Sequence, residues 1–171
     1  MTLAFRTSSI KFAIILVSSV LILISCGSGG KVSAEDYDGK ISYSFDAFNQ
    51  KFMEYSLSLR NVNIQEQEIL RLNTLTIAQN FIDSAKNLSA YENDESLLNA
   101  YRNYLNTVRY SIKFNDSLKF NILSKDSLLD DREKKLLKEL TSRSLLSCDK
   151  AYLEFQNTQK KFRQKNGIIR K

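Results

Sequence analysis

Apolar side chains recur along most of this chain at alternating steps of three and four, the period of a helix that packs one face against its neighbours. The first run is Ile41, Phe45, Phe48, Phe52, Tyr55 and Leu59, in steps of 4, 3, 4, 3 and 4. Ser33-Ala34-Glu35-Asp36 opens it as a capping-box variant with Asp at the third helical position. After a turn at Asn61-Val62-Asn63, a second helix is predicted from about Ile64 to Leu88, with Ile69, Leu72, Leu75, Ile82 and Ala85 facing inward. A polar stretch from Ser89 to Glu95, carrying Tyr91, separates it from a third. Ser96 is the candidate cap of that helix, and Leu98, Tyr101, Leu105, Val108, Ile112, Asn115 and Ile122 are its seam. The pattern breaks from Ser124 to Asp131 and resumes from Asp130, with Asp131 and Glu133 near the positive end of a fourth helix. Its inner face reads Leu137, Leu140, Ser144 or Leu145, Cys148, Tyr152, Phe155, Gln159 and Phe162. Asn166-Gly167 is a left-handed stop, and residues 168–171 are a tail. Long helices joined by short links favour antiparallel neighbours. The expected fold is all-α, an up-down-up-down four-helix bundle over residues 34–167. A three-helix bundle with the second and third helices partly merged is its rival.

The amino-terminal pattern is different in kind. Residues 1–11 hold Arg6 and Lys11 and no acid, and the 13 residues from Phe12 to Ile24 are apolar apart from two serines. As a helix that stretch would reach roughly 20 Å, short of a bilayer core of about 30 Å, so it reads as a signal peptide. Leu23-Ile24-Ser25-Cys26 closes it in the form of a bacterial lipobox. The thiol of Cys26 is the nucleophile that takes a diacylglyceryl group as a thioether. The small Ser25 admits the peptidase that cuts between Ser25 and Cys26, and the freed amine can then take a further acyl chain such as palmitate. Residues 1–25 are thus the expected signal, and residues 26–33 a flexible lipid-anchored tether that includes Gly27-Ser28-Gly29-Gly30. Two or three acyl chains on one residue anchor stably where a single chain would not.

Composition narrows the chemistry. The chain has no Pro and five Gly, which suits uninterrupted helices, and its two Cys leave Cys148 without a disulfide partner once Cys26 is lipidated. The absence of His removes the usual nucleophile activation, the usual proton shuttle near neutral pH, and the Glu-x-x-His ligands of dimetal bundles. Glu66, Glu68, Asp83, Asp116 and Asp126 show no convergent spacing and read as solvated surface acids. No catalytic, cofactor or metal residues are expected. Most of the 18 aromatic residues sit on the seams, whereas Tyr91, Tyr104 and Tyr110 fit them less well and are candidates for a contact patch. Formal charge falls from +6 to +4 once Arg6 and Lys11 leave with the signal. No basic run is interleaved with aromatics on a nucleic-acid module, so nucleic acid is not an expected partner. Lys160, Lys161, Arg163, Lys165, Arg170 and Lys171 crowd the end of the last helix as candidate headgroup contacts. Compensation of the helix dipole is the plainer account of them.

The lipobox, the early Glu35-Asp36-Tyr37-Asp38-Gly39-Lys40-Ile41, the helix from Leu98 to Ile122 and the closing stretch from Phe155 to Gly167 occur together. In this combination the chain resembles a family of small lipid-anchored helical surface proteins of Leptospira and Bacteroidota, which has no assigned activity. The resemblance implies the anchor and the helical fold. Bacteroidota lipoproteins bound for the outer face often carry acids just after the Cys, whereas Gly-Ser-Gly-Gly-Lys follows Cys26 here, so the face is left open. The expected function is a non-enzymatic interaction or structural module of the bacterial envelope, most naturally at the outer membrane. Its expected partners are the membrane, through the anchor, and an envelope protein. The alternative is a carrier of an apolar ligand held between the helices.

Overall fold

The computed structural model describes residues 32–59, 63–125 and 128–169, all within the unit Val32–Lys171. The signal, the lipobox and the tether as far as Lys31 lie outside the described residues, as do Asn61 and Val62 of the first turn.

Helix α1, Ala34–Ser58, begins where the Ser33 hydroxyl accepts the Asp36 N–H at 3.0 Å. Helix α2, Ile64–Lys86, begins where the Asn63 side chain accepts the Glu66 N–H at 3.0 Å. Helix α3, Ser96–Tyr110, continues without a break through a π-helical segment, Ser111–Asp116, into α4, Ser117–Leu123. Helix α5, Asp131–Lys165, is held by a complete capping box between Asp130 and Glu133 and ends at Gly167, whose φ is +71°. Because α3, the π segment and α4 form one rod, the described residues make four helices.

Their directions follow from the contacts. Phe48 packs on Phe81, and Gln67 donates to the Leu59 carbonyl, so α2 runs back along α1. Ser44 bonds Tyr101, and Tyr104 donates to Asn49, so the third rod runs parallel to α1. Phe45 stacks on Phe155 at 4.0 Å, and Gln159 donates to Asp38, so α5 is antiparallel to α1. Helices α2 and α5 lie on the diagonal that does not touch. This is the up-down-up-down four-helix bundle. The three-helix alternative does not occur, because residues 87–95 turn the chain back between α2 and α3.

The seam of the third rod is buried as the periodicity predicts, as are Ile41, Phe45, Phe48 and Tyr55 of α1, with Phe52 and Leu59 half-buried; on α5 Ser144 rather than Leu145 faces inward, and Tyr152, expected inside, is 37% exposed at the edge of that face. Three further expectations are corrected. Ile69 and Leu72 of α2 are exposed, and Arg71, Thr74 and Ala78 join the expected Ile82 and Ala85 on its inner face, with Leu75 half-buried against it. Ser96 does not cap α3; its own N–H donates to the Asp94 carboxylate at 3.0 Å. Asp116 is not a surface acid, being 6% exposed.

Candidate functional site

Polar groups enter the bundle at two levels. At the α1 amino-terminal end, the buried Asp38 carboxylate accepts from Gln159 at 3.0 Å and from Arg163 Nε at 2.8 Å, which clips α5 to α1. Beside it, Tyr37, Tyr91 and Phe162 form a triangle of rings with centroids 5.5 to 5.8 Å apart. Tyr91 is carried there by a tight turn in which Asp94 N–H donates to the Tyr91 carbonyl at 2.7 Å. Glu92 and Asn93 take φ of 46° and 67° in that turn, a left-handed conformation that costs Glu92 more than Asn93. Lys165 closes this end with an ion pair to Asp94 at 2.7 Å. The Lys165 hydrogen bond, with help from Ser96, lowers the Asp94 pKa to about 2.

The second level lies around the π segment. A π turn displaces backbone partners from their α-helical positions, and here Arg71 Nη1 reaches across from α2 to the Ile112 carbonyl at 3.4 Å. The same guanidinium makes a two-pronged pair with Glu68 at 2.6 and 2.7 Å, which leaves its buried charge compensated. Asp116 accepts the Tyr55 hydroxyl at 2.8 Å and pairs with Lys119 at 2.5 Å. Asn115, on the seam as expected, donates to Ser144 at 3.0 Å and so ties the π segment to α5. The Cys148 thiol faces Ser111, and burial pushes its pKa above the ordinary value.

Asp38, Asp94, Asp116, Arg71 and Arg163 already have their partners, whereas the buried Tyr37 hydroxyl of the ring triangle has none, and no group of three or more His, Cys, Asp or Glu among the described residues could hold a metal ion. The arrangement fixes helix register, which is what buried polar pairs do best in bundles. Asp116 carries most of this at its level. Asp116→Ala leaves the Lys119 ammonium and the Tyr55 hydroxyl without their acceptor, and should cost about 2 to 4 kcal/mol by urea unfolding. Asp116→Asn keeps an oxygen for Tyr55 and should cost less. The raised thiol gives a second expectation. Cys148 in the folded chain should react with a disulfide reagent at mildly alkaline pH orders of magnitude more slowly than in urea. Equal rates would mean that the middle of α5 is open.

The remaining sequence candidates separate. Tyr104 is 1% exposed and belongs to the core, Tyr91 packs into the ring triangle, and Tyr110 is 57% exposed, so the three form no common patch. Tyr104 was missed because the third rod is covered on three sides and buries two adjacent stripes. Lys160 and Lys161 are exposed, whereas Arg163 and Lys165 are engaged by Asp38 and Asp94. Ser25, Cys26, Arg170 and Lys171 lie outside the described residues. No helix among the described residues is long and apolar enough to cross a membrane. No family model, curated protein or solved structure matches the chain.

Proposed function

We propose that the chain is a lipid-anchored protein of the bacterial envelope, working without catalysis as an interaction or structural module at the outer membrane. The observation that carries this is Leu23-Ile24-Ser25-Cys26 at the end of a short apolar stretch and before a Gly/Ser-rich tether. The resemblance to lipid-anchored surface proteins of Leptospira and Bacteroidota points the same way. The helical unit suits the role, because its buried carboxylates and guanidiniums are spent on holding helices together. A carrier of an apolar ligand would need space between the helices, and Phe45, Phe48, Tyr101, Tyr104 and Phe155 fill that space with rings. The proposal is tested by feeding cells labelled palmitate and separating membranes. Label should enter the wild-type chain, which should travel with the outer-membrane fraction, and should be absent from Cys26→Ala. Equal labelling of the two chains removes the anchor and the envelope role with it.

A further inference from the structure

The face of the third rod turned away from the core carries Tyr110, Phe114 and Leu118, which are 57%, 45% and 48% exposed. On a plain α-helix two steps of four would carry Leu118 about 80° round from Tyr110. The wider π turn between them takes up part of that rotation, so the three line up as one outward ridge spanning α3, the π segment and α4. The Tyr110 and Phe114 rings meet at 4.6 Å, and Lys113 Nζ sits 5.2 Å from the Phe114 centroid.

The charge around this ridge is one-sided. From residue 96 to 125 the sequence contains a single acid, Asp116, and that acid is buried on Tyr55 and Lys119. The Asn115–Ser144 bond sets Arg143 of α5 level with Phe114, and the contact of Ser111 with Cys148 sets Lys150 near the level of Tyr110. Of the acids on the flanking helices, Glu139 pairs with Lys135 and Asp83 with Lys86, whereas Glu154 meets the neutral amide of Asn103 and Asp149 lies exposed next to Lys150. Lys113, Arg143 and Lys150 make no ion pair among the described residues.

From this juxtaposition we propose that the Tyr110–Phe114–Leu118 ridge, flanked by Lys113, Arg143 and Lys150, is a contact face for anionic lipid headgroups. A convex ridge one helix wide offers no groove for a partner helix, whereas a bilayer surface deforms around it. Aromatic and aliphatic side chains enter the headgroup boundary while Lys and Arg reach outward to the phosphates. This deepens the proposed function and rests on it only for the nearness of a bilayer, since a lipid-anchored chain meets that surface at high effective concentration. The basic residues at the end of α5 are then secondary, because Arg163 and Lys165 are already spent within the fold.

The chain has no Trp, so Phe114→Trp gives a single reporter on the ridge and Tyr43→Trp one on the exposed side of α1. Each full chain, purified in detergent, is reconstituted into phosphatidylglycerol or phosphatidylcholine vesicles whose acyl chains carry bromine. In phosphatidylglycerol the Phe114→Trp emission should shift to the blue and be quenched. Both effects should vanish in phosphatidylcholine, in 1 M salt, where the Debye length is about 3 Å, and in the Lys113→Gln/Arg143→Gln/Lys150→Gln background. Tyr43→Trp should stay in water throughout. Identical emission in the two lipids overturns the inference. So does shielding that rises with protein concentration in detergent alone, which would assign the ridge to a second copy, or shielding by polyglutamate and not by vesicles, which would assign it to an acidic protein. Flotation and acyl-chain mass report the anchor separately. A chain that floats with its ridge in water keeps the anchor and loses the inference, whereas an unacylated chain with a quenched ridge does the reverse.

Discussion

Phe48→Asp should abolish the cooperative unfolding transition of the helical unit, or lower its stability by at least about 4 kcal/mol. Phe48 has no exposed surface and meets α2 through Phe81 and the third rod through Tyr104, so it is where three helices converge. Loss of the ring alone leaves a cavity worth about 3 to 5 kcal/mol, and a carboxylate placed there has no cation to meet. Phe48→Leu keeps most of the volume and should cost only about 1 to 2 kcal/mol. Circular dichroism during urea unfolding of the two variants checks this. A Phe48→Asp chain that melts like wild type would mean that α1 does not pack as described.

How far the fold could be read from the chain depends on which helix is considered. On α1 the apolar residues that recur at steps of three and four do lie inside, so periodicity alone places Ile41, Phe45, Phe48 and Tyr55, although not Asp38, on the inner face. On α2 the apolar residues and the inner face diverge. Arg71 and Thr74 occupy the inner face because the π segment opposite presents a carbonyl for Arg71, while Ile69 and Leu72 are left in solvent. A rule that sends apolar residues inward misreads that stretch, since the cause lies on another helix. Asp116 was missed for the same reason: its two partners, Tyr55 and Lys119, stand 61 positions and three positions away. Asn115 could be placed on the inner face because it falls in step with an otherwise apolar seam, and its bond to Ser144 gives it a register role. Nothing in local periodicity announces the extra residue of the π turn, and so nothing announces that Tyr110, Phe114 and Leu118 share one ridge.

Alkaline pH should unfold the helical unit well before its arginines titrate. Tyr55, Tyr101 and Tyr104 are buried, and burial raises all three pKa values, that of Tyr101 to about 12 and the other two further. Asp116 adds to the rise at Tyr55, since a phenolate there would face a carboxylate. In the unfolded chain each ionises near the ordinary value of about 10. The folded pKa therefore lies above the unfolded one, and the sign is fixed: above pH 10 the unfolded state has released protons that the folded state still holds, so stability falls as pH rises. Below pH 10 the three contribute no pH dependence. Above it each removes about 1.4 kcal/mol per pH unit until its own folded pKa is reached, and together they remove about 4 kcal/mol per unit. For a total stability of about 5 to 9 kcal/mol, in the lower half of the usual range, unfolding is expected between roughly pH 11 and 12.5. Tyrosinate absorbance and helical circular dichroism followed together provide the measurement. Tyr55, Tyr101 and Tyr104 should ionise in one steep step that coincides with loss of helix, and in urea that ionisation should move down to near pH 10. Ionisation of the three at the pH found in urea, with the helix signal intact, would place these hydroxyls in contact with water and break the Ser44–Tyr101, Asn49–Tyr104 and Tyr55–Asp116 ties on which the parallel packing of α1 and the third rod depends.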